Sequence, residues 1–257
     1  MLASAAVLIA LLSGCATSAP SSDTDPSAKG GATQGGGPSV MWVGDSVAKT
    51  EAPALEAALE AAGARFSDES SEGGGVIVDS GGDMSELVQG VWGQVSAAIE
   101  KKKPDTIVYQ ISTYDWGTPD QQKEGYRKLA DEAASIGADL VIVSAPPVKI
   151  DDFYAPHASE MATTAASANS VAEASGGTVT FLDASALWGT DPLAEKAQRG
   201  KDGIHACQQA AASFASWFMT GFEKVSGLEP TDPKSWATGD WTSDEVFAGY
   251  DCPTGEQ

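Results

Sequence analysis

From residue 39 onward, short apolar runs alternate with longer amphipathic stretches. Val40-Met41-Trp42-Val43 is an apolar run that stops at Gly44, the pattern of a buried strand. Residues 51–63 follow with Ala54, Leu55, Ala58, Leu59 and Ala62 at helical spacing and Gly63 to close them. Val76-Ile77-Val78 predicts a second strand, ending at Ser80-Gly81-Gly82. Residues 84–102 carry Leu87, Val88, Val91, Val95 and Ile99 along one helical face, and Pro104 stops them. A third strand is expected over 106–111, a helix over 121–136 and a fourth strand over 140–143, before Pro146-Pro147. The remaining expectations are a helix over 158–174, a strand over 179–182 and a helix over 208–222 carrying Phe214, Trp217 and Phe218. The tail beyond residue 226 is rich in Trp, Pro and Asp, has no clear period, and is expected to pack as coil.

Strands that alternate with helices imply βαβ units and a mainly parallel five-stranded sheet covered on both faces, a three-layer α/β/α domain over 39–225. In such sheets ligands sit outside the carboxyl ends of the strands. That rule directs attention to the loops beginning at Gly44, Ser80, Ser112, Ser144 and Asp183.

The N-terminus adds an address. Residues 3–12 are apolar but too short for an ordinary membrane-spanning helix. They lead into Leu12-Ser13-Gly14-Cys15, which resembles a bacterial lipobox, so residues 1–15 are expected to be a signal peptide with Cys15 as the lipidated residue. Residues 16–38, mostly small and polar, read as a disordered linker. The expected location is the outer face of the bacterial cell membrane, with the lipid as the membrane contact. With Cys15 assigned to lipid, Cys207 and Cys252 remain, and an even pair in an exported chain points to a disulfide. The balance of 36 Asp and Glu against 15 Lys and Arg repels phosphate backbones, and no basic stripe offsets it, so nucleic acid is not expected as a partner. No metal spacing or phosphate-cradling loop is present; Gly73-Gly74-Gly75 reads as a plain loop, and no cofactor is expected.

Ser46 follows the first strand in Gly44-Asp45-Ser46 and precedes a helix, whose N-terminal N–H groups favour an oxyanion. A hydroxyl needs a base, and the base needs an orienting carboxylate. Asp202-Gly203-Ile204-His205 offers both just before the last helix. The chain's other histidine, His157, lies in a polar loop next to Pro156. Taken alone, Gly-Asp-Ser is an ordinary helix cap and His205 an ordinary loop histidine; it is their combination in an α/β chain that points to catalysis.

Gly-Asp-Ser at the start and Asp-x-x-His near the end, over about residues 39–225, resemble the SGNH (GDSL) hydrolase family. The resemblance implies a flavodoxin-like domain with Ser46 as nucleophile and backbone oxyanion donor, Asp202 as orienting carboxylate and His205 as general base. It also implies a glycine N–H donor after the second strand, for which Gly82 is the candidate and Gly81 its rival. The family's third donor is an Asn in a G-x-N-D pattern. Here Ser112-Thr113-Tyr114-Asp115 stands in its place, with Tyr114 at the Asn position and Thr113 or a backbone N–H as alternatives. Trp116 and Gly117 suit either a pocket wall or core packing, and Asp183 suits a turn. The activity implied is hydrolysis of a small ester or an acylated carbohydrate through an acyl-Ser46 intermediate. Acyl transfer to a cell-wall glycan, or glycan binding by a degenerate domain, are the alternatives that the altered third block leaves open.

Overall fold

The structure is a computed structural model and describes residues 36–252. Cys15, its lipobox and all but the last residues of the 16–38 linker lie outside the described residues. Strands β1 (Ser39–Val43), β2 (Arg65–Asp68), β3 (Thr106–Gln110), β4 (Asp139–Val143) and β5 (Val179–Leu182) form one parallel sheet in the order β2-β1-β3-β4-β5. The helices are α1 (Ser46–Ala61), α2 (Met84–Lys102), α3 (Pro119–Ser135), α4 (Ala158–Met161), α5 (Thr164–Ala174), α6 (Ser185–Trp188) and α7 (Gln208–Ser226). None among the described residues is long and apolar enough to cross a membrane.

Alternation along the strands divides the interior in two. Val40, Trp42, Val108, Val141 and Val143 face α1 and α7, where Leu55, Leu59, Phe214, Phe218 and Phe222 fill the layer. Met41, Val43, Ile107, Tyr109, Leu140 and Ile142 face α2, α3 and α5, which supply Val91, Trp92, Leu129 and Val171. Burial on both faces is why these strands read as continuous apolar runs.

The sheet corrects one expected strand. Residues 76–78 are buried but belong to no strand. Their backbone is satisfied by side chains instead: Ile77 N–H donates to Asp115 Oδ1 at 3.3 Å, and Ile77 C=O accepts from Trp92 Nε1 at 3.1 Å. The actual β2 is Arg65-Phe66-Ser67-Asp68, an edge strand paired only with β1. An edge strand with one apolar side chain carries no strand-like run, so its sequence is silent.

Helix boundaries moved where capping decides them. Asp45 caps α1 by accepting from Val47 N–H at 2.9 Å, so the helix starts at Ser46 rather than 51 and contains Pro53. Thr118, Pro119 and Gln121 form a capping box that starts α3 two residues early. The helix expected over 158–174 is broken between α4 and α5. There Thr163 Oγ1 donates to Glu160 C=O at 2.7 Å and to Gln122 Oε1 at 3.0 Å, local bonds that compete with the helix. The tail is also more ordered than expected. It runs through 3-10 turns at Pro233–Ser235, Asp240–Ser243 and Glu245–Tyr250, and buries Trp236 and Phe247 in the α1/α7 layer.

Candidate active site

The end of β1 needs glycine before anything else can be placed. A Cβ at Gly44 would come within 2.5 Å of the Ala48 side chain, so the sharp turn from β1 into α1 admits no larger residue. Asp45 then does two jobs. Its Oδ1 caps α1, while Oδ2 accepts from Thr113 N–H at 2.6 Å, Thr113 Oγ1 at 2.7 Å and Ser112 Oγ at 3.1 Å. One buried carboxylate thereby ties the β1 and β3 loops together and presents Ser46 at the first position of α1.

The second half comes from the other end of the chain. Asp202 Oδ1 accepts from the N–H groups of Ile204 and His205 at 2.9 and 3.2 Å, with Gly203 at φ +72° making the turn. Asp202 Oδ2 lies 2.5 Å from His205 Nδ1, and His205 Nε2 lies 2.8 Å from Ser46 Oγ. Burial raises the Asp202 pKa, but the His205 hydrogen bond and the two N–H groups outweigh it and leave it lowered. The carboxylate therefore stays ionised where it can stabilise an imidazolium. Thr50 Oγ1, one turn along α1, accepts from Ala206 N–H at 3.1 Å and fixes the two halves in register. Cys207 follows at once and is disulfide-bonded to Cys252.

A buried pair lies under this loop. Arg199 donates to Ile204 C=O at 3.4 Å, sits over the Trp188 ring at 4.6 Å, and approaches Glu51 of α1 at 3.8 Å. Gln110 Nε2 donates to Glu51 Oε2 at 2.5 Å. Burial pushes Glu51 up to about 8, and the Arg199 charge only partly opposes it. At that separation desolvation outweighs attraction.

The loops after β2 and β3 form the opposite wall. Asp115 is fully buried and accepts from Tyr109 OH at 2.8 Å, Tyr126 OH at 3.2 Å and the N–H groups of Ile77 and Ser112, each at 3.3 Å. Burial pushes it up to about 7 against the pull of those donors. Gly75, at φ +66°, lies against the nucleophile turn: a Cβ there would sit 2.1 Å from Gly44 O and 2.6 Å from Asp45 Cα. Gly81 and Gly82 also have positive φ, but a Cβ on either would meet nothing within 4 Å. Gly75 is thus the glycine whose Cβ position is closed by the Ser46 turn, whereas Gly81 and Gly82 have open space at theirs.

Tyr114 packs at 5.3 Å on Trp116, at 5.8 Å on Phe153 and at 6.3 Å on Tyr154. Thr113, the alternative donor, spends both its N–H and its hydroxyl on Asp45. Trp116 is buried under His157, which stacks on it at 3.6 Å and pairs with Glu160 at 2.8 Å. Asp183 caps the turn at Ser185 with a 2.9 Å bond. Among the described residues no group of three His, Cys, Asp or Glu side chains is arranged to hold a metal ion.

Glu51 and Arg199 escaped the sequence reading, Gly75 was read only as part of a plain loop, and Asp115 only as part of a motif block.

A serine, a histidine and a carboxylate in hydrogen-bonded series at the carboxyl end of a parallel sheet define a serine hydrolase site. The family model described as SGNH domain (fused to AT3 domains) matches residues 14–212, and the chain belongs to the SGNH family of hydrolases. Solved structures share the fold. An inhibitor-bound aryl esterase of M. smegmatis is 16% identical, with 75% of this chain and 100% of that one covered at a TM-score of 0.57. A catalytic mutant of an acetylxylan esterase from Geobacillus stearothermophilus is 15% identical, with 72% and 94% covered and a TM-score of 0.52. An alpha/beta hydrolase enzyme from the metagenome of Lake Arreo, Spain, is 15% identical over 72% and 94% at a TM-score of 0.51. Comparison with curated protein sequences finds no match.

Proposed function

We propose that this SGNH hydrolase is an extracytoplasmic, lipid-anchored serine esterase. It removes an acetyl or other short acyl group from a cell-envelope carbohydrate or a small ester through an acyl-Ser46 intermediate. The observation that carries the reading is the continuous relay from Asp202 Oδ2 to His205 Nδ1 at 2.5 Å and from His205 Nε2 to Ser46 Oγ at 2.8 Å.

In this reading His205 Nε2 takes the Ser46 proton as Oγ attacks the ester carbon, and the carbonyl pair moves onto oxygen. Collapse of that oxyanion expels the alcohol, which leaves with the proton from His205. Water then repeats the sequence on the acyl-enzyme and releases the acid. The oxyanion draws on the Ser46 N–H, in the first turn of α1 where such groups lack intrahelical partners. The second donor is the N–H of Gly82, with Gly81 as its rival, while Gly75 shapes the turn behind Ser46, where a Cβ would sit 2.6 Å from Asp45 Cα. Tyr114, packed among Trp116, Phe153 and Tyr154, contributes a wall rather than a donor. Support for export comes from the lipobox at Cys15 and from the Cys207–Cys252 disulfide, a bond that persists in oxidising compartments.

The test is turnover of 4-nitrophenyl acetate by the folded chain beside Ser46→Ala. The alanine variant should lose at least about 10⁴-fold in kcat, and a fluorophosphonate should label only the wild type. Equal rates, or labelling elsewhere, would remove Ser46 from the chemistry. Acetate accumulating without an acylated sugar acceptor separates hydrolysis from transfer. The mass of the mature N-terminus checks the lipid on Cys15.

A further inference from the structure

Beyond α7 the chain returns to the catalytic loop, and the family match, which ends at residue 212, does not reach this segment. Its last turn brings the Tyr250 ring onto the His205 imidazole, with centroids 4.0 Å apart and planes 19° from parallel. Contacts on either side of the ring fix this approach. Lys201 N–H donates to Tyr250 C=O at 3.2 Å, and Lys201 Nζ pairs with Asp251 at 2.9 Å. Gly200 leaves room for the crossing, since a Cβ there would be 2.6 Å from the Tyr250 carbonyl oxygen. Two residues further on, Cys252 is bonded to Cys207, which is itself two residues from His205. Upstream, Phe247 is buried in the α1/α7 layer.

We propose that Tyr250 is a positioning residue for the general base, held on the face of His205 by a C-terminal strap that the Cys207–Cys252 disulfide closes. The proposal rests on the triad reading. Its physical basis is what the relay leaves unfixed. Hydrogen bonds to Asp202 and from Ser46 engage the imidazole through its two nitrogens, in the plane of the ring, and set the line between those atoms. They do not set the tilt of the ring about that line. A flat partner on one face does, and the same face favours the imidazolium that forms as Ser46 attacks. The stack depends on the ring and not on the phenol oxygen, so phenylalanine should replace tyrosine while an aliphatic side chain should not.

The experiment uses the full chain with Tyr250→Leu, Tyr250→Phe and Cys252→Ser. Tyr250→Leu should lower kcat for 4-nitrophenyl acetate about tenfold while KM changes less than about twofold, because ring tilt matters most in the transition state. Tyr250→Phe should keep the wild-type kcat, and Cys252→Ser should fall between the two. Proton NMR supplies a readout apart from activity. Stacking shifts the His205 ring resonances upfield, and that shift should vanish in Tyr250→Leu and persist in Tyr250→Phe. His157, stacked on Trp116, serves as the internal control, and His157→Gln assigns the two. If Tyr250→Leu does not fold, reduction of the folded wild type carries the same test: kcat and the His205 shift should fall together. A wild-type kcat in Tyr250→Leu, an unmoved His205 resonance, or a Tyr250→Phe variant as slow as Tyr250→Leu overturns the proposal. A wild type that is inactive and unlabelled by fluorophosphonate overturns the triad reading instead, whatever the NMR shows.

Discussion

The two walls of the active site are built by different means. The wall bearing His205 is tied down over long sequence distances, by a disulfide to Cys252, by Arg199 reaching Glu51 and by Thr50 reaching Ala206. The wall formed by the loops after β2 and β3 is fixed by buried carboxyls that each gather several donors: Asp45 collects Ser112 and Thr113, and Asp115 collects Tyr109, Tyr126, Ile77 and Ser112. The first wall presents chemistry and needs particular side chains. The second presents backbone, and what it needs is shape.

The sharpest way to break that contrast is Gly75→Ala. The left-handed backbone and the 2.1 Å approach to Gly44 O act together, and a loss on the order of 2–4 kcal/mol of stability, with activity, is expected. Gly82→Ala has the same backbone handicap in open space and should cost only about 1–2 kcal/mol. Denaturant unfolding and esterase assays of the two variants side by side decide whether the second wall turns on Gly75.

A middle-sized effect comes from pH. Burial raises Glu51 from 4.5 to about 8 and Asp115 from 3.8 to about 7, so the folded state retains protons that the unfolded chain has released. Their stabilising contribution is complete below the unfolded values and is lost as pH rises through the folded ones. The melting temperature should therefore fall between about pH 5 and about pH 8.5. Glu51→Gln, which mimics the protonated acid, should flatten the upper part of that fall, and an unchanged slope would separate Glu51 from it.

The smallest effect is expected for Tyr114→Phe. Loss of a working oxyanion donor costs about 2.7–4 kcal/mol, whereas removal of the hydroxyl from a ring that packs as a wall should change kcat/KM less than about threefold. A hundredfold loss would return Tyr114 to the oxyanion hole.

The same contrast explains what the sequence made legible. Strands β1, β3 and β4 announced themselves because both their faces are buried, and the edge strand β5 because Val179, Phe181 and Leu182 are apolar; the other edge strand, β2, did not because it offers one apolar contact, Phe66 against Val40. Ser46, Asp202 and His205, which the fold brings into one hydrogen-bonded series, could be picked out because proton transfer admits few residue types, so identity and order carry the message. Gly75 was not, because three successive glycines look the same whether they fill a loop or approach another backbone. Asp115 was read as part of a motif block, yet its four donors come from β3, α3, the β3 loop and the 76–78 segment, which only the fold assembles. The Pro- and Asp-rich tail shows no period because its contacts are made residue by residue, at Trp236, Phe247 and Tyr250, rather than along a face.

Ser46 and His205 are 159 residues apart in the chain and meet because α1 and α7 pack side by side against the first strand. Contacts of such separation form late, since the loop between them must be ordered before they contribute. Recovered esterase activity would therefore be a stopwatch for the end of folding rather than for collapse. Helical signal should return first, with turnover appearing only when the two ends of the chain have found each other.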